Sequence, residues 1–71
     1  MDWRSILGDN ILRLRIKRGW SQQDLAGQAD LSLRFLAGVE RGEENPSLDT
    51  LIAISSALTA DPWELLKPIG E

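Results

Sequence analysis

The chain has 71 residues, 42% of them hydrophobic, with no cysteine, no histidine and a formal net charge of −3. A folded chain this short buries only about 60% of the surface its unfolded form exposes, so it suits one domain, spanning 1–71, with a thin core. Lacking cysteine it has no disulfide framework or thiolate metal site, and lacking histidine it has no ready general base; the composition argues against an enzyme, a cofactor or a metal centre and for association with a partner.

Apolar residues at Leu7, Ile11 and Leu14 recur at helical spacing and predict a first helix over Trp3 to Arg18. Gly19 stops it, because glycine accepts the left-handed conformation needed just past a helix end. Ser21 is placed to cap a second helix, Gln22 to Ala29, with Asp24 completing a short version of the capping box. Trp20, just before that cap, reads as a hydrophobic staple. Asp30 and Leu31 make a very tight break. Ser32 then caps a third helix that runs to Gly42. The run Gly42-Glu43-Glu44-Asn45-Pro46 is a loop. Ser47 opens a fourth helix through Leu58, with Leu48, Leu51, Ile54, Ala57 and Leu58 expected on its inner face. Asp61-Pro62 opens a short fifth helix ending at Leu66, since proline suits the first helical position. The expected fold is all-α, a compact five-helix bundle.

Two helices joined by almost nothing between Ala29 and Ser32 must cross steeply, as in a helix-turn-helix unit. At 100° per residue, Leu33, Arg34, Ala37, Gly38 and Arg41 share one sector of the third helix. Phe35, Leu36 and Val39 fall on the other side and can dock on a core. The first sector, arginine, small residues and a second arginine, suits close approach to a large ligand. A glycine inside a helix costs about 1 kcal/mol relative to alanine, so Gly38 asks for a reason; a glycine merely tolerated on a solvated face is the plainer account.

Charge is distributed unevenly. Residues 1–42 hold seven of the eight basic residues (Arg4, Arg13, Arg15, Lys17, Arg18, Arg34, Arg41) against five acidic ones, and residues 43–71 hold six acidic residues and Lys67. A basic front and acidic rear fit a protein that meets phosphate with one side, although ordinary surface variation also produces such a split. No apolar run reaches membrane-spanning length and the N-terminus lacks a signal-peptide pattern, so a soluble, cytoplasmic chain without a membrane partner is expected.

The run from Leu7 to Leu58, with its LxxxIxxLR pattern, WSQQDLA, VERG and NPS in order, resembles the Cro and phage-repressor (XRE) type of helix-turn-helix family. The resemblance implies a lambda-repressor-like fold and a sequence-specific transcriptional regulator of double-stranded DNA. It implies base reading by Leu33 and Arg34, with Ala37 and Gly38 lining the groove. It implies backbone contacts from Gln22, with Gln23, Arg18 and Arg41 beside it, and from Asn45 and Ser47 at the next helix. Arg15 and Glu40 match positions that pair with each other, and Phe35 is expected to pack inward. Asp30 stands where the family prefers glycine. Only Arg34 is polar near the start of the third helix, so direct readout is sparse and DNA shape or a second subunit must supply the rest.

Such proteins bind as homodimers on inverted half-sites, and Ile52, Trp63, Leu66 and Ile69 are the expected dimer surface. Leu12 and Ile16 form a further stripe that the fifth helix could cover. A small-molecule effector is not expected in so short a chain. The competing reading is an antitoxin-like or adaptor protein whose main partner is another protein, docked on the acidic rear.

Overall fold

Hydrogen-bonding side chains open the helices where their chemistry suits them. In the computed structural model, which describes residues 1–70, α1 spans Trp3–Lys17, α2 Gln22–Ala29, α3 Leu33–Glu40 and α4 Leu48–Ala57, followed by a 3-10 turn at Pro62–Leu65. Asp2 caps α1 by accepting from the amides of Arg4 and Ser5 and from the Ser5 hydroxyl, which together hold its carboxyl below the usual carboxylate range. At α2 the Asp24 amide donates to Ser21 Oγ at 3.0 Å and the Ser21 amide donates to the Asp24 carboxylate at 2.9 Å. The shorter aspartate therefore closes the box. Ser32 and Ser47 cap α3 and α4 by accepting from the amides of Phe35 and Thr50.

The fifth expected helix is instead a single 3-10 turn. Its amides bond three residues back, Glu64 to Asp61 and Leu66 to Trp63, and Pro68 follows before i→i−4 bonding can be established. Gly19 and Gly42 end α1 and α3 at positive φ, as expected. Thr59, which no sequence pattern singles out, does the same after α4 at φ 56, a conformation that a β-branched residue reaches only with strain. Arg18 holds it in place, donating to Thr59 Oγ1 at 3.3 Å.

The core is built from Leu7 and Ile11 of α1, Leu25, Ala26 and Ala29 of α2, Leu36 and Val39 of α3, Ile54 of α4, and Leu58 and Leu65 beyond it. Helix α3 packs on α1 and α2, α4 packs on α2, and the terminal turn closes over α1 and α4. Leu48 lies outside this core, 67% exposed, contrary to the expectation of an inward side chain: it is the first residue of α4, where the chain is still entering the helix from the surface loop. Leu12 and Ile16 stay exposed as well. The terminal turn does fold back on α1, but it does so through buried Asn10, whose amide donates to the carbonyls of Leu65 at 2.9 Å and Lys67 at 2.8 Å. Helical spacing sets Asn10 on the stripe of Leu7 and Leu14, but only the terminal turn supplies the carbonyls that satisfy it there.

The crossing of α1 and α3 is close because Gly8 has no side chain. A Cβ there would stand 2.7 Å from the Val39 carbonyl oxygen and closer still to that of Glu40. Gly27, by contrast, sits exposed in α2 with nothing within 4 Å of a would-be Cβ. Gly27→Ala is therefore expected to stabilise the protein by about 0.5–1 kcal/mol through helix propensity. Gly8→Ala gains the same propensity and is expected to lose more, about 1–3 kcal/mol, by forcing α1 away from α3. Paired thermal melts check this: the midpoint should move up for the first and down for the second, at roughly 4–8 °C per kcal/mol.

Candidate nucleic-acid interface

The link between α2 and α3 is as tight as the sequence demands. Asp30 adopts φ 57, ψ 47, and the Leu31 amide donates back to the Ala26 carbonyl at 2.9 Å. Asparagine and aspartate tolerate this left-handed conformation better than other side chains, so the missing glycine is no obstacle. Two residues separate the end of one helix from the cap of the next, which sends α3 off across α2 rather than alongside it.

Two opposed faces result on α3. Leu36 and Val39 are fully buried and Phe35 packs against the same core, so the helix is anchored from behind. Leu33 and Arg34 are exposed at its start, Ala37 is half-buried and Arg41 is exposed at its end. Gly38 departs from the expected open face: it is buried, because the side chain of Glu44 lies across it with Cγ 2.8 Å from where a Cβ would be. The loop reaches there because the Glu43 amide donates to the Gly38 carbonyl at 2.9 Å.

Behind this face a buried ion pair fixes α3 to α1. Arg15 Nε and Nη2 donate to the two Glu40 carboxylate oxygens at 2.8 and 2.9 Å, and Nη1 donates to the Trp20 carbonyl at 2.9 Å. The hydrogen bonds it donates to Glu40 raise the guanidinium pKa above its already high value. Gln22 Nε2 donates to the same carboxylate at 3.0 Å, which draws the start of α2 into the network. Its amide nitrogen has a second hydrogen left for a phosphate. Fork-to-fork pairing of this kind holds both partners in one orientation.

The other candidate contacts divide between open and occupied. Gln23 and Asn45 are exposed. Ser47 is used as a cap, accepting from Thr50 N at 3.2 Å while its hydroxyl donates to Thr50 Oγ1. Arg18 is turned to the end of α4, bonded to Thr59 and stacked over Trp20 at 4.4 Å, rather than held out for a backbone contact. Arg41 pairs with Glu43 at 3.0 Å across the surface. The basic front is thus weaker than the linear count suggests, because Arg15, Arg18 and Arg41 all have partners inside the chain. Among the described residues no ion pair engages Arg34.

A tight two-helix unit with its second helix anchored at the back and a free arginine at the front is a helix-turn-helix DNA-binding arrangement. Residues 11–62 match the family model described as helix-turn-helix, and the chain belongs to that family, in its phage-repressor (XRE) branch. It is 35% identical over 71 residues to the uncharacterized HTH-type transcriptional regulator y4dJ of Sinorhizobium fredii, covering all of this chain and 92% of that one. A hypothetical transcription factor of Neisseria meningitidis is 34% identical over 70 residues, covering 99% of this chain and 66% of its own length. The solved structure of a Neisseria factor of that description superposes with a TM-score of 0.93 at 34% identity, covering 96% of this chain and 78% of that one. The restriction-modification controller protein C.AhdI of Aeromonas hydrophila superposes at 0.85 with 35% identity, covering 87% and 94%. The chain therefore spans nearly all of the first relative and about two thirds of the second. It is a DNA-binding transcriptional regulator. Among the described residues no helix is long and apolar enough to cross a membrane.

Proposed function

We propose that this chain regulates transcription by binding, without catalysis, as a homodimer on an inverted-repeat operator, each copy laying α3 in the major groove. The observation that carries the proposal is Arg34, exposed and, among the described residues, outside any ion pair at the start of a helix whose opposite side is sealed into the core. Its guanidinium offers two parallel donors to the O6 and N7 edge of guanine, while Leu33 packs on a thymine methyl and Ala37 lets the backbone come close. Gln22, Gln23, Asn45, Arg41 and the capped start of α4 beside Ser47 supply phosphate contacts that set the register. Arg18 and Gly38 drop out of this set, the one turned to α4 and the other covered by Glu44.

Size and surface both favour two copies. The domain measures 29 Å along its longest axis, short of the roughly 34 Å between half-sites one helical turn apart, so a single copy covers one half-site. Ile52 on α4 and Trp63 in the terminal turn that packs on α4 are exposed, Trp63 at 60%, and Leu66 and Ile69 beyond the turn are exposed as well. Exposed apolar side chains on packed neighbours such as Ile52 and Trp63 support an association surface.

Selection from a random DNA library tests the proposal and should return a palindromic motif. Sedimentation at tens of micromolar should show a dimer that Ile52→Glu converts to a monomer with unchanged helicity. A wild-type monomer, or tight protein association beside weak and unselective DNA binding, would overturn it.

A further inference from the structure

We propose that Glu44 is a second base-reading side chain, its carboxylate accepting a hydrogen bond from a cytosine N4 amino group beside the guanine that Arg34 reads. The inference rests on the outer side of α3 being the DNA-contacting face, and it adds to that face a residue lying outside the helix.

Glu44 sits in a loop that carries two consecutive carboxylates into a surface meant for phosphates, which is unfavourable unless each has something to do. Glu43 has a partner in Arg41. Glu44 takes part in neither ion pair of the described residues, yet it is half-buried rather than extended into solvent. Its side chain is seated on α3: Cγ, Oε2 and Cδ lie 2.8, 3.0 and 3.4 Å from the position of a Cβ on Gly38. The internal glycine that costs α3 about 1 kcal/mol of helix propensity is thus what makes room for this carboxylate.

The seat lies next to Arg34. Positions four apart on a helix are neighbours on one face, so the carboxylate resting on Gly38 lies one turn along from the arginine on the same flank. A carboxylate can only accept hydrogen bonds, and the major-groove amino donors are cytosine N4 and adenine N6, of which cytosine's has no N7 acceptor beside it to repel the charge. One helical turn apart along α3, the two side chains address neighbouring base pairs, Arg34 the guanine of one and Glu44 the cytosine of the next, whereas a carboxylate facing the acceptors of guanine or thymine is repelled.

The test is library selection followed by affinity measurement on single-base variants of the selected site, for the wild-type chain, Glu44→Ala, Glu44→Gln and Gly38→Ala. The wild type should enrich cytosine at a position that Arg34→Ala leaves intact. Glu44→Ala should lose roughly 5- to 100-fold of the preference there, the range expected of one good base contact. It should at the same time bind mixed-sequence DNA more tightly, since a negative charge has gone. Gly38→Ala should lose the same preference by unseating the carboxylate, with Glu44 still present. All variants are to be compared at equal helicity. Should Glu44→Ala bind every sequence more tightly with base preference unchanged at every position, Glu44 is only a repulsive neighbour and the assignment falls alone. A wild-type chain without any sequence preference would overturn both the assignment and the reading of α3 beneath it.

Discussion

Glu40→Ala should destabilise the protein by about 3–5 kcal/mol, the loss expected when one member of a buried ion pair is removed and its partner is stranded. Arg15 is nearly sealed from solvent and donates three hydrogen bonds inside the chain, two of them to Glu40. Without the carboxylate its charge stays buried with only the Trp20 carbonyl to face. Gln22 loses its partner too, so the start of α2 is released together with the link between α1 and α3. At roughly 4–8 °C per kcal/mol for a domain of this size, the thermal midpoint should fall by 12 °C or more. Raising the pH reaches the same pair only far into the alkaline range. The folded-state pKa of Arg15 lies above its ordinary value, so its contribution is complete below that value and fades only as pH rises through the raised one. Replacing both partners, Arg15→Met with Glu40→Leu, should recover most of the stability, because what costs most is the unpaired charge rather than the absence of the bridge. Circular dichroism melts of the single and double variants check both statements. A fall of under 1 kcal/mol for Glu40→Ala would mean that the pair is well solvated.

Arg34→Ala should leave the fold intact and remove discrimination at one base position of each half-site. One bidentate contact to guanine contributes about 1–3 kcal/mol, so two copies on a palindrome contribute about 2–6 kcal/mol, from about 30-fold to more than ten-thousand-fold in the specificity ratio. Affinity for mixed-sequence DNA should fall much less, by about one phosphate-like charge in the salt dependence. Gln22→Ala should do the reverse and weaken all sequences alike. Titration of the selected site and of a scrambled duplex at several salt concentrations separates the two. Equal losses on both duplexes for Arg34→Ala would demote this arginine to a backbone contact.

The helices and their order were readable residue by residue because local chemistry decides them. Serines at 21, 32 and 47 accept from amides that any helix start leaves unpaired, and glycines at 19 and 42 take the backbone turn that ends a helix. Spacing also exposed the two faces of α3, and the family resemblance supplied the pairing of Arg15 with Glu40. Less readable were features that depend on what lies across the gap. Gly8 looks like any helical glycine until α3 crosses it, and Asn10 is a polar residue on an apolar stripe with no visible partner until the terminal turn presents two carbonyls to it. The terminal segment has a helix-opening Asp-Pro pair and still forms only a 3-10 turn, because Pro68 cuts short the run in which longer bonds could accumulate.

What the sequence determined alone is therefore the helix-turn-helix and which side of α3 faces inward, since helix caps and 3.6-residue periodicity are local and need no partner. What the tertiary structure decided is how the charges and small residues of the outer side are spent. Arg18 goes to α4 and the space above Gly38 to Glu44, through contacts between segments that sequence spacing does not record, while Arg41 goes to Glu43 two residues along. Arg34 keeps its guanidinium free of any ion pair among the described residues because it lies at the start of α3, on the side turned away from the core.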